Sequence, residues 1–302
     1  MGQMDGKVAL ITGAARGQGR SHAIRLAQEG ADIIAIDICA DMPLVNYPLA
    51  TEDDLAETVA AVEALDRRCV SYIADARDSG RIREVVAEAV AKLGRLDAVV
   101  INHGINRGHS VEDEDAIEVW DTVIGVNFSS YWYVSAATVP HLRKDGGSIV
   151  IIGSVASLIA MYGNASYTSA KHGLIGLVKS LALDLAKYAI RVNAICPGNV
   201  PTPLTINQQT LDVFFPDNPD ATYEDMEPAL AVLSPLEEPW VQSQMISDAV
   251  LFLTAPTGRL ITGIALPVDA GFTIQQPGIT PSLGRQLAEL NQELEAARRP
   301  QS

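Results

Sequence analysis

Apolar residues follow two alternating rhythms over the first two-thirds of the chain. Unbroken runs at Val8 to Thr12, Ile33 to Ile36, Val70 to Ala74, Ala98 to Ile101, Ser148 to Ile152 and Val192 to Ile195 have the length of strands without polar alternation, which predicts parallel strands buried on both faces. Between them, apolar residues recur at three- and four-residue spacing. Leu55, Val59, Val62 and Leu65 form one such stripe, and Ile82, Val85, Val86, Ala89, Val90 and Leu93 another, as expected of helices with one face on a sheet. The alternation predicts an α/β fold built on a single Rossmann-type, doubly wound parallel sheet with helices on both faces. A last strand is expected at Ala265 to Val268.

Two stretches interrupt this rhythm. Residues 38 to 51, ICADMPLVNYPLAT, carry two prolines and delay the second helix, while residues 199 to 240 hold seven prolines and acidic clusters, as a movable loop would. Beyond residue 276, Leu283, Leu287, Leu290 and Leu294 form a one-sided stripe ending in Arg298-Arg299, which predicts an amphipathic helical tail. Docking on its own domain or on a neighbouring subunit is the expected role of that tail, with a separate partner as the other reading. The chain therefore divides into a domain over 1–276 and a tail over 277–302.

Charge and composition narrow the partners. A formal net charge of −15 leaves no basic stripe for phosphates, which argues against a nucleic-acid partner. Cys39, Cys69 and Cys196 are few and widely spaced, which suits a reducing compartment rather than a disulfide framework. No basic-then-apolar leader opens the chain, and no run approaches the ~18 apolar residues of a membrane span. Gly6 stands where a myristoylation signal needs Ser or Thr. A cytoplasmic protein with no membrane partner is expected.

The first strand runs into Thr12-Gly13-Ala14-Ala15-Arg16-Gly17-Gln18-Gly19, with a helix expected to begin near Arg20. Glycines at 13, 17 and 19 let the backbone approach a pyrophosphate at a helix N-terminus. Asp37 ends the second strand, placed to accept hydrogen bonds from an adenosine ribose and to repel a 2′-phosphate, so the predicted cofactor is NAD. Arg16 points the other way, because a guanidinium there could hold that phosphate. Tyr167 and Lys171 stand four residues apart and share one helix face, where an ammonium would stabilise a phenolate and lower its pKa. That spacing alone is common. It gains weight from Ser154 at the end of a strand and from Asn127 in GVNFSS before an apolar helix.

TGAARGQG, Asn102-His103-Gly104, Asn127, Ser154, Tyr167 with Lys171, and Pro197 to Thr202 together resemble the short-chain dehydrogenase/reductase family in order and spacing, over residues ~5 to 275. The resemblance implies hydride transfer between NAD and an alcohol or ketone. By position it makes Tyr167 the general acid/base and gives Lys171 the nicotinamide ribose. Ser154 would bond the reacting oxygen, Asn127 would support a proton relay, Asp75 would contact adenine, and Val200 and Thr202 would fix the carboxamide. The cofactor set extends to Gln18, Ile38, Cys39, Ala76, Asn102, Gly104 and Pro197. His103 replaces a more usual alanine and is expected to be packed and hydrogen-bonded, without a chemical role. Substrate contacts are expected from Ala156, Tyr162 and Asn199.

The 38–51 insertion, read with GAARGQGRSHAIRLAQEGADIIAID and PWVQSQMISDAVLFLTAPTGRLITGIALPVDAG, resembles the mycofactocin-coupled branch, which includes carveol-dehydrogenase-like enzymes. That resemblance implies a covered, retained NAD reoxidised by mycofactocin. The family also implies a homotetramer and a substrate lid over 200–240. In that lid Phe214, Phe215, Tyr223, Leu230, Leu233 and Trp240 would cover an apolar pocket or pack a subunit interface. A hydrophobic secondary alcohol such as a terpenoid fits the first reading. A non-catalytic NAD-binding sensor or scaffold is the competing class, and it would not need Ser154, Tyr167 and Lys171 together.

Overall fold

In a computed structural model the described residues are 2–215, 217–218 and 220–274. Seven strands form one parallel sheet: β1 (Val8–Thr12), β2 (Asp32–Asp37), β3 (Cys69–Ile73), β4 (Ala98–Ile101), β5 (Gly147–Ile152), β6 (Ile190–Pro197) and β7 (Ala265–Val268). Their order across the sheet is β3-β2-β1-β4-β5-β6-β7. β1 therefore sits between β2, with Leu10 beside Ile34, and β4, with Leu10 beside Val99. The chain winds outward to β3 and then returns to β4 on the other side of β1. This reversal opens a crevice beyond the carboxyl ends of the strands.

The helices sort by sheet face. On one side Ile82, Val85 and Val86 of α3 (Ser79–Leu93), Tyr131 and Val134 of α5 (Ser130–Leu142), and Leu174 and Val178 of α6 (Ala165–Leu185) pack on Leu10, Ile34, Val99 and Ile149. On the other, Ala23 and Leu26 of α1 (Gly17–Gln28), Leu55 and Val62 of α2 (Glu52–Glu63), and Ile246 and Val250 of α9 (Ser243–Thr254) cover Ile11, Ile33 and Val100. Burial on both faces explains why VALIT and AVVI carry no polar alternation. β3 lies at the edge and is only half-covered, with Ile73 exposed.

Helix α1 begins at Gly17, three residues ahead of the position expected from the apolar pattern. In α2 the buried face is Leu55, Thr58 and Val62 rather than 55, 59, 62 and 65, and Leu65 lies past the helix end. The reason is polar: the Thr58 hydroxyl donates to the carbonyls of Ala14 (3.0 Å) and Ala15 (2.9 Å), so a β-branched alcohol occupies the centre of the contact with the glycine loop. Thr51 and Asp54 start that helix with a reciprocal capping box.

The helix α4 (Ala116–Ile124) continues into α5 through a wide π turn at Gly125–Ser129. Within the expected loop over 200–240, two short helices form, α7 (Gln208–Phe214) and α8 (Tyr223–Val232), closed on Leu211, Met226 and Leu230. Prolines 203, 235 and 239 lie outside them and Pro228 lies inside α8, so the proline count alone could not resolve these helices. The tail stripe Leu283 to Leu294 and Arg298-Arg299 lie outside the described residues. Among those residues no helix is long and apolar enough to cross a membrane.

Candidate active site

A cavity of about 700 Å³ lies across the carboxyl ends of the central strands. At one end the glycine loop forms its floor. Gly13 and Gly17 have φ of +64° and +55°, and a Cβ at Gly13 would sit 2.7 Å from the His103 Cα. The loop therefore needs the backbone freedom and the empty space of glycine. Asp37 is buried, and its carboxylate is fixed by two backbone donors, Ala15 N–H at 3.0 Å and Cys39 N–H at 3.2 Å. Both Asp75 oxygens are engaged by the Arg77 guanidinium, Oδ1 at 3.1 Å and Oδ2 at 2.6 Å. Burial alone would raise the Asp75 carboxyl, but the Arg77 hydrogen bonds outweigh it and hold it below its ordinary value.

At the other end Tyr167 and Lys171 emerge one turn apart from α6, both buried. The Lys171 ammonium donates to the Ile152 carbonyl at 3.0 Å and lies 5.6 Å from the centre of the Tyr167 ring. Burial lowers its pKa to about 7. Burial raises Tyr167, and a hydrogen bond with Ser154 opposes that rise. The net shift of Tyr167 is therefore upward, because desolvating a phenolate costs more than the Ser154 hydrogen bond returns. Ser154 itself follows β5, and its Oγ accepts from Ala156 N–H at 3.1 Å.

Most of the sequence-predicted residues meet here. Gly13, Arg16, Gly17, Gln18, Asp37, Ile38, Asp75, Ala76, Asn102, Gly104, Ser154, Tyr162, Tyr167, Lys171, Pro197, Asn199, Val200 and Thr202 all line the cavity. Gly19, Cys39, Asn127 and Ala156 do not. A Cβ at Gly19 would come within 1.8 Å of the Gly13 carbonyl oxygen, so this glycine lets α1 close on the loop. Cys39 turns away at φ +48°, its thiol pushed up to about 12 by burial. Ala156 is enclosed in the apolar cluster behind Tyr167.

Asn127 stands behind the wall. Its amide donates to the carbonyls of Ile105 (2.9 Å) and Val123 (3.1 Å), and its Oδ1 accepts from Ile105 N–H at 3.1 Å. These bonds tie the π turn to the strand-end segment 102–106. His103 is packed and hydrogen-bonded through both ring nitrogens, to Thr12 Oγ1 and Ser130 Oγ, each at 2.7 Å.

The insertion supplies lining that sequence reasoning missed. Met42, Tyr47, Leu49 and Ala50 line the cavity, and Met42 packs with Ile105, Val123, Val126 and Tyr167. The buried Tyr47 hydroxyl accepts from Asn106 N–H at 3.0 Å, and Arg16 donates to the Pro48 carbonyl. The spacing of apolar residues at 42, 44, 45, 47 and 49 carried the signal, but without a regular period it could not assign a target surface. From the 200–240 segment, Phe214, Met226, Leu230 and Leu233 line the cavity, while Phe215, Tyr223 and Trp240 pack on that segment's own cluster. Gln209 ties this segment to residue 108 by donating to the Gly108 carbonyl at 2.9 Å.

A family model for short chain dehydrogenases matches residues 7–211, which include the glycine loop, Ser154, Tyr167 and Lys171. The chain belongs to the short-chain dehydrogenase family. A relative from Rhodococcus erythropolis, (−)-trans-carveol dehydrogenase, is 44% identical over 277 residues, covering 91% of this chain and all of the relative. The crystal structure of carveol dehydrogenase from Mycobacterium avium in complex with NAD superposes with a TM-score of 0.89 at 44% identity, over 91% of this chain and 100% of that one. A short chain dehydrogenase from Mycobacterium paratuberculosis bound to NAD gives 0.83 at 38% identity, over 91% and 100%. This short-chain dehydrogenase thus shares its backbone fold with these relatives, and residues at 38–51 and 200–240 contribute to the walls of its cavity.

Proposed function

We propose that the protein is an NAD-dependent dehydrogenase that oxidises a hydrophobic secondary alcohol to its ketone, or runs the reverse, with a terpenoid alcohol such as carveol as the substrate class. The observation that carries this reading is the convergence of Ser154, Tyr167 and Lys171 at one end of a cavity whose other end is the glycine loop and Asp37. The cradle at Gly13 and Gly17, where a side chain would fill the space, and the carboxylate of Asp37 suit a dinucleotide with an unphosphorylated ribose. NAD, when bound, supplies the hydride acceptor or donor.

The chain's own residues supply position and proton. In the oxidation direction Tyr167 as phenolate takes the hydroxyl proton of the alcohol. Ser154 hydrogen-bonds the same oxygen and orients it. Lys171 provides the positive charge that offsets the desolvation of the phenolate and bonds the nicotinamide ribose. Asn127 acts from behind by holding the π turn and the 102–106 segment. The apolar lining from Met42, Met226, Leu230 and Leu233 supports a hydrophobic substrate, with Tyr162 and Asn199 as contacts.

The insertion, tied down through Tyr47 and Arg16, supports the further reading that NAD is retained and reoxidised in place by mycofactocin. Exposed Trp120, Trp132 and Leu183 on α4, α5 and α6 support a homotetramer, and the free thiols of Cys39, Cys69 and Cys196 suit the cytoplasm. The test is Tyr167→Phe assayed on secondary alcohols with an artificial electron acceptor and with free NAD. Turnover should fall by about 10²–10⁴-fold while nucleotide released on denaturation stays near one per chain. Retained turnover refutes the role of Tyr167, and absent nucleotide after dialysis of the wild type refutes retention.

A further inference from the structure

Tyr131 lies outside the expected catalytic set, yet it is fully buried beside Lys171. Its hydroxyl donates to the His103 carbonyl at 2.5 Å, with the Ile152 carbonyl at 3.3 Å, and so turns a lone pair toward the Lys171 ammonium, which donates to it at 3.4 Å. The ammonium also sits over two rings, 5.2 Å from the centre of Tyr131 and 5.6 Å from that of Tyr167. With Ile152 O at 3.0 Å, Lys171 has two protein acceptors on the wall side and faces the cavity with the rest.

The support behind Tyr131 is directional. Ser130 Oγ donates to the Val126 carbonyl at 2.6 Å, so it accepts from His103 Nε2–H. His103 Nδ1 is then the bare nitrogen and accepts from the Thr12 hydroxyl. This fixes the neutral Nε2–H tautomer of His103, and the ring packs at 4.8 Å against that of Tyr131. The groups facing Lys171 are therefore Tyr167 on its own helix, Tyr131 on α5, neutral His103 after β4 and Cys196 on β6, whose thiol burial keeps protonated. Of these, Cys196 could supply a counter-charge as its thiolate, and burial opposes that form.

We propose that Tyr131 is a positioning residue for the reaction: its hydroxyl and ring face hold the Lys171 ammonium, in charged form, against the cavity wall within reach of Tyr167. The inference rests on the proposed roles of Tyr167 and Lys171. Without the Tyr131 hydroxyl, the ammonium keeps one wall-side acceptor in a site that already disfavours charge.

The test is the pH dependence of kcat in Tyr131→Phe, which keeps the ring and its volume. At pH 7 kcat should fall about tenfold, with the acid limb moving up and the alkaline limb moving down by about one pH unit each. A merely structural role would lower the melting temperature without moving either limb. If Tyr131→Phe does not fold, 3-fluorotyrosine at position 131, a weaker acceptor of nearly the same shape, should narrow the profile in the same sense by a smaller amount. In a Lys171→Met background, Tyr131→Phe should leave the residual rate unchanged. Unmoved limbs in a folded, NAD-binding variant overturn the assignment. That outcome is distinct from failure of the underlying reading, in which Tyr167→Phe itself would retain turnover.

Discussion

Two histidines, fully buried His22 and half-buried His103, should make this protein sensitive to mild acid. His22 of α1 bonds Ser247 of α9 at 2.8 Å, and His103 bonds Thr12 and Ser130, and burial lowers both pKa values from 6.5 to about 3. A folded-state pKa below the unfolded one means that the unfolded chain takes up the proton first. The stabilisation is therefore complete above about 6.5 and is lost as pH falls from there toward 3. Between pH 7 and 5 each histidine should cost about 2 kcal/mol, and the pair about 4 kcal/mol, at ~1.36 kcal/mol per pH unit. For a chain of this size that is a fall of about 8 °C in Tm, at about 2 °C per kcal/mol. Partly exposed His141, also lowered by burial, adds a smaller slope in the same direction. The depressed carboxyls of Asp75 and Asp97 act below 3.8 and that of Glu29 below 4.5, under this window, and Lys171 acts above about 7. Calorimetric melts at half-unit steps, with His22→Gln alongside, measure it: the variant should lose about half as much Tm over the same range. A flat Tm from pH 7 to 5, or an unchanged slope in His22→Gln, would refute the assignment of two neutral imidazoles held below their ordinary pKa.

Asp37→Asn removes the charge and, having one acceptor oxygen in place of two, keeps only one of the backbone hydrogen bonds from Ala15 and Cys39, so the KM for NAD should rise by about 10- to 100-fold and discrimination against NADP should shrink, as initial rates with each nucleotide would measure. Gly19→Ala puts a methyl into main-chain atoms that cannot swing aside, so it should cost more than the ~1–3 kcal/mol of ordinary overpacking and weaken NAD binding, readable by Tm and nucleotide titration.

The seven strands were legible in the apolar runs because a parallel sheet covered on both faces leaves no polar position inside a strand. The glycine loop, Asp37, Ser154, Tyr167 and Lys171 were legible because each needs a particular residue type at a particular spacing from a strand end. Thr58 was passed over for Val59 because a hydrophobic pattern cannot anticipate a hydroxyl whose acceptors, the Ala14 and Ala15 carbonyls, lie some forty residues away. Tyr47 and Tyr131 escaped for the same reason: their partners, Asn106 and Lys171, come from distant segments and meet them only once the sheet is wound. The direction of the Tyr167 shift also needed the tertiary structure. The four-residue spacing placed Lys171 beside the phenol, whereas the depth of burial, a property of the packed cavity wall, decided that desolvation outweighs the Ser154 hydrogen bond and turns the shift upward. Sequence alone thus determined the strand pattern and the chemical inventory, which depend on local period and residue type. Only the folded chain decided which side chains face the cavity and how strongly they are desolvated, because both depend on contacts between segments far apart in sequence.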